Sequence, residues 1–213
     1  NQARLVNKLQ AMSKVPLFIG MDLEWGLNMR LDSTVRYPYQ MTLGAMQGND
    51  ALIEKMGFQI AQQCKRMGVH INYAPVVDVN NNPNNPVIND RSFGEDKYKV
   101  AAFGVQYMKG MQDNGVMACA KHFPGHGDVS VDSHYDLPII NKSLAQLDSL
   151  ELYPFKEIFK AGIGSVMIAH LSIPAIDNTP NKPTSISKNN VTDLLRNSLH
   201  YNGLTFTDAL EMK

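Results

Sequence analysis

The sequence predicts an α/β fold of the (β/α)8 TIM-barrel type, incomplete in this chain. Three observations carry that reading. Short runs rich in Val, Ile and aromatic residues alternate with longer stretches of helical period. The apolar runs end in polar, chemically useful residues at their C-terminal ends, the end at which such barrels assemble their sites. No G-x-G-x-x-G turn or P-loop pattern occurs, so the usual mark of a competing open doubly wound sheet is missing.

Taken in order, a helix is expected over Gln2–Ser13, then a strand over Pro16–Asp22 (PLFIGMD) and a helix over Asn49–Met67. A strand over Val69–Val79 (VHINYAPVVDV) and a helix over Asp96–Asp113 follow, then a strand over Val116–Phe123 (VMACAKHF) and a helix over Ser143–Ala161. The last three elements are a strand over Ser165–Leu171, a helix over Ser187–Leu199 and a strand over Leu204–Ala209. Asn49, Ser143 and Ser187 are placed to cap the helices they precede, and Gly68, Gly115 and Gly203 to end helices before the next strand. The Asn- and Pro-rich segment Asn80–Asp90 reads as an irregular loop turned by Asx-type bonds. A closed barrel needs eight strands and typically about 250 residues. The five strands and 213 residues of this chain therefore predict a single, partial barrel domain whose terminal strands lie elsewhere.

Composition excludes several classes. With 44% hydrophobic and 19% charged residues the chain can bury a core and lacks the signature of disorder. Twenty basic residues balance twenty acidic ones, so no global field gathers nucleic acid or an anionic membrane. No apolar run approaches the roughly 18 residues of a membrane span. Cys64 and Cys119 show no metal or disulfide spacing and read as buried thiols. The chain opens on Asn1 without a charged-then-apolar leader, and its compartment stays open between cytoplasm and periplasm.

The chemistry concentrates in two places. Lys121–His134 (KHFPGHGDVSVDSH) holds one Lys, three His and two Asp around Pro124, Gly125 and Gly127, a polar loop leaving a strand end. A metal site built from His122, His126 and His134 with Asp128 or Asp132 is the alternative, disfavoured because ligands on one Gly-rich loop are poorly held. The second place is Gly203–Lys213 (GLTFTDALEMK), where Asp208 ends an apolar strand; alone, it would read as a helix N-cap. Asp78 and His170 are expected at the same face as supporting groups, and Trp25 as a plug of the barrel mouth or a stacking ring.

Together the loop KHFPGHGDVSVDSH, the strand end TDALEM, the segments MIAHLSIPAID and PTSIS, and DVNNNPNNPVINDRSFGED resemble the N-terminal barrel domain of glycoside hydrolase family 3. Within it they are similar to the β-N-acetylhexosaminidase branch, the N-acetylglucosaminidases of peptidoglycan recycling. That resemblance runs from about Pro16 onward and implies a retaining glycosidase needing no metal or other cofactor. It implies Asp208 as nucleophile, His134 as general acid/base with Asp132 as its partner, Lys121 and His122 as a pair gripping sugar hydroxyls, and Asp22 and Arg91 as further sugar contacts; His170 completes the expected substrate side. The chain departs from the branch at DLEWGLNMR, where the pattern more often reads D-x-E-G-G-R, while keeping Asp22, Glu24, Gly26 and Arg30. The expected partner is an N-acetylglucosaminyl glycoside, with neither nucleic acid nor a membrane span. A hydrolase or phosphorylase for another β-linked sugar, and an inactive sugar-binding fragment, are the alternatives.

The residue types suit the chemistry. A retaining glycosidase needs a carboxylate to attack the anomeric carbon and a second group to protonate the departing oxygen. Histidine, with a pKa near 6.5, can hold and return that proton at neutral pH.

Overall fold

The computed structural model describes residues 1–131 and 136–211. Five parallel strands stand in sequence order: β1 (Gly20–Met21), β2 (Ile71–Asn72), β3 (Met117–Phe123), β4 (Ser165–Ile168) and β5 (Leu204–Thr207). Between them run α1 (Gln2–Met12, ahead of β1), α2 (Gln40–Gly44), α3 (Asp50–Met67), α4 (Lys97–Gln112), α5 (Leu144–Ser149) and α6 (Leu152–Lys160), with a π-wound helix at Asn189–Ser198. This is the curved parallel half of a (β/α) barrel, as predicted. Register runs from Gly20 opposite Ile71 through Asn72 opposite Ala118 and Cys119 opposite Ser165 to Ile168 opposite Thr207.

Strand β3 is the axis of the sheet, and Ala118 to Phe123 are buried along its length. Helices α3 and α4 pack against each other at close range, and α4 also packs on β3. A Cβ on Gly110 would come 2.1 Å from the Glu54 carbonyl, so only glycine lets the two helices approach this far. Phe123, Phe155 and Phe159 continue the core toward α6 with ring centroids 5.3 to 6.3 Å apart. No helix among the described residues is long and apolar enough to cross a membrane.

Several boundaries differ from expectation for identifiable reasons. The strand expected over Val69–Val79 pairs as a ladder only at Ile71–Asn72, because Pro75 brings no N–H; beyond it a single Val76–Lys121 bridge remains. The helix expected over Ser143–Ala161 breaks at Leu150–Glu151, where the Pro154 ring would meet the Leu150 carbonyl. Ser143 forms the expected cap, as a full capping box with Gln146. Asn49 does not: it sits at φ 64°, left-handed, and its side chain makes no capping bond. Gly68 and Gly115 take the positive φ that ends their helices, 75° and 76°, whereas Gly203 does not.

Candidate active site

Asp22 follows β1, Asp78 lies beyond β2, Lys121 and His122 end β3, His170 lies just past β4, and Asp208 follows β5. All six belong to the C-terminal ends of the strands, the expected face. A cleft of about 390 Å³ opens there, lined by Asp22, Glu24, Arg91, Lys121, His122, His126 and Asp208 on its polar side and by Trp25, Met29, Val87 and Ala209 on its apolar side.

Its floor is an ion-pair network. The Lys121 ammonium lies 2.8 Å from Asp22 Oδ1 and 2.8 Å from Glu24 Oε1. Arg91 grips the same Glu24 with Nη2 at 2.8 Å and Nε at 3.1 Å. Arg30 holds the other oxygen of Asp22 at 2.9 Å. The exposures divide the roles: the Glu24 side chain is wholly buried while Asp22 is 33% exposed, so Asp22 can meet a ligand and Glu24 can only hold cations in place. Lys121 has one ammonium proton left for a ligand oxygen after these two bonds. Burial alone would raise the Glu24 carboxyl, yet Lys121 and Arg91 outweigh it and hold it well below the ordinary range.

The backbone under the network is pinned by buried amide and phenol groups. Asn72 accepts from the Leu23 amide and donates to the Leu23 carbonyl, and Tyr107 donates to the Glu24 carbonyl at 3.1 Å.

His122 is oriented from behind. Buried Asp78 accepts from the His122 ring at 2.7 Å, from the His122 amide at 3.0 Å and from the His126 amide at 2.7 Å. A carboxylate only accepts, so His122 Nδ1 carries a proton toward Asp78, while Arg91 Nη2 lies 3.4 Å from Nε2. Burial would lift the Asp78 carboxyl, but the His122 ring, followed by His126, lowers it below its ordinary value. The peptide joining Lys121 to His122 is cis.

Asp208 faces this cationic wall. Its amide donates to the Ile168 carbonyl at 2.9 Å, and Oδ1 accepts from Ala209 N–H at 2.8 Å. Oδ2 makes no hydrogen bond to the described residues. Burial would raise its pKa, but the His122 ring, the Ala209 amide and Lys121 together lower it, so the carboxylate is kept ionised. His170 points its ring at the turn that carries Asp208: Nε2 donates to the Ala209 carbonyl at 3.0 Å and Nδ1 accepts from the Ser185 hydroxyl at 2.7 Å. Both of its nitrogens are thereby engaged within the protein.

The structure thus brings Asp22, Arg91, Lys121, His122 and Asp208 to one cleft, with His170 behind the Asp208 turn. Asp132 and His134 lie outside the described residues. Two members of the alternative metal cluster, His134 and Asp132, lie there too; among the described residues no three His, Cys, Asp or Glu side chains gather to hold an ion. Glu24 is the important residue that sequence reasoning left without a role. Its position two residues after Asp22 puts it on the same side of the extended chain, which was the available signal.

Residues 1–213 match the model of the glycosyl hydrolase family 3 N-terminal domain. The chain belongs to that family. It is 39% identical over 217 residues to the beta-hexosaminidase A of Pseudoalteromonas piscicida, covering 95% of this chain and 36% of that protein. Among solved structures it is similar to a family 3 β-N-acetylglucosaminidase from Paenibacillus sp. str. FPU-7 (TM-score 0.91, 38% identity, 99% of this chain and 41% of that one). It is also similar to the beta-glucoside phosphorylase BglX (TM-score 0.92, 28% identity, 99% and 40%). The family 3 chain described here therefore spans well under two thirds of these relatives.

Proposed function

We propose that residues 1–213 form the single, partial catalytic barrel of a retaining β-N-acetylglucosaminidase. Its substrate is a β-linked N-acetylglucosaminyl glycoside with the sugar at the non-reducing end, of the kind derived from peptidoglycan muropeptides. The observation that carries this reading is the Asp208 carboxylate, ionised, with one oxygen free of hydrogen bonds to the described residues, facing Lys121 and Arg91 across a cleft of sugar-compatible polarity.

In the first step an Asp208 oxygen attacks the anomeric carbon as the glycosidic bond breaks, and His134, held by Asp132, gives its proton to the departing oxygen. In the second, His134 takes a proton from water, whose oxygen displaces Asp208 from the sugar. Asp22, Lys121, Arg91 and His122 hold the hydroxyls through charge-assisted bonds. His170 acts through the 208–209 turn, setting the direction of the nucleophile. The relatives named hexosaminidase and N-acetylglucosaminidase support the choice of sugar.

The experiment is hydrolysis by the full-length protein of an aryl β-N-acetylglucosaminide and the matching β-glucoside, each with and without inorganic phosphate. The acetamido sugar is expected to react faster, with free sugar as product. The likeness to a glucoside phosphorylase supports a second reading, and preferential formation of a sugar 1-phosphate would select it.

A further inference from the structure

We infer that Lys142 is a positioning residue: its ammonium, held between Asp128 and buried Glu151, clamps together the two ends of the chain segment that carries Asp132 and His134. The inference rests on the acid/base reading above.

Asp128 precedes that segment and Lys142 follows it. Lys142 Nζ lies 2.9 Å from Asp128 Oδ2 and also pairs with Glu151. The Glu151 side chain is wholly buried at the break between α5 and α6, so the clamp is anchored in the body of the domain. Asn81, from the loop after β2, donates to Asp128 Oδ1 at 3.1 Å and to Glu151 Oε1 at 3.4 Å, closing the cluster from the opposite side.

The chain on either side is fitted to this anchor. A Cβ on Gly125 would come 2.6 Å from Glu151 Cβ, and one on Gly127 would come 1.7 Å from the Val79 carbonyl. Val129 and Ile140 are both buried, and the returning chain exchanges backbone bonds with Ser172, from Ser172 N–H to Pro138 at 2.8 Å and from Ile140 N–H to Ser172 at 2.9 Å. Among the described residues no hydrogen bond or ion pair joins Asn81, Asp128, Lys142 or Glu151 to the cleft floor, so the role assigned to the cluster runs through the segment it holds. Glu151 is buried while Lys142 and Asp128 are partly exposed, and such pairs add little net stability, so the use assigned here is geometric.

The test is kcat/KM of the full-length protein on aryl N-acetylglucosaminides of graded leaving-group pKa, comparing wild type, Lys142→Met, Lys142→Arg, Asp128→Asn and His134→Ala. Losing general-acid catalysis is worth roughly 10² to 10⁴-fold. Displacing the acid should therefore lower the rate for the poorest leaving groups by roughly tenfold or more while leaving activated ones within about twofold. Lys142→Met is expected to show that selective loss, Lys142→Arg to recover most of it, and Lys142→Met on top of His134→Ala to add nothing selective. Asp128→Asn cuts only the loop end of the clamp and decides the matter should Lys142→Met not fold. An equal loss on all substrates, or none, overturns the inference. If His134→Ala itself fails to steepen the leaving-group dependence, the acid/base reading falls and takes the clamp's role with it.

Discussion

The two ends of the strands make an instructive contrast. At the N-terminal ends of β4 and β5 lies a cavity of about 540 Å³, larger than the 390 Å³ cleft at the opposite end. Its lysines are already committed: Lys156 to Asp148 and, at 2.7 Å, Lys160 to Glu157. Its wall is the stacked pair Phe159 and Tyr201, with centroids 4.3 Å apart. The smaller cleft instead receives charged groups from the ends of β1, β3 and β5 and from the loop after β2. Volume therefore does not locate the chemistry; convergence of partly exposed charges on a buried, mutually compensated floor does.

The contrast can be broken from its strong side first. Asp208→Asn should lower turnover on the order of 10³-fold or more, since among the described residues the other carboxylates lining the cleft, Asp22 and Glu24, each have a cation partner; steady-state kinetics checks it. Glu24→Gln comes next. It leaves Lys121 and Arg91 buried against a neutral amide, and loss of one member of a buried pair is worth about 3–5 kcal/mol in denaturant unfolding.

A smaller effect should appear with pH. Burial, aided by the neighbouring His122 ring, pushes His126 down to about 4. An unfolded histidine titrates near 6.5, so below that the unfolded chain takes up a proton that the folded chain refuses. The stability from neutral His126 is complete above about pH 6.5 and drains away as pH falls toward 4, by at most about 1.4 kcal/mol per pH unit. His126→Asn should flatten that slope; an unchanged slope would move the effect to another group. Smallest of all, Lys156→Ala at the opposite face should leave activity intact and stability within about 0.5 kcal/mol, as for other partly exposed pairs.

What the sequence made legible follows the same division. Alternating βα pattern and polar strand ends located Asp22, Lys121, His122 and Asp208 without the fold, because strand ends in a barrel share one face. Arg91 was not readable from its Asn-rich surroundings and entered through the family resemblance alone. The burial of Glu24 and the grip of Asp78 on His122 depend on contacts between residues 44 to 97 positions apart in the chain, beyond any local pattern. Periodicity alone carried the expected helix across Pro154, although a proline in the interior of Ser143–Ala161 conflicts with the Leu150 carbonyl and was the available signal for the break.

The most direct test of the central claim is covalent trapping of the full-length protein with a 2-deoxy-2-fluoro glycosyl reagent, followed by peptide mapping. An ester on Asp208, absent from Asp208→Asn, is the predicted result. A label on Asp22, Glu24 or Asp78 instead, with Asp208 unmodified, would contradict the assignment of the nucleophile.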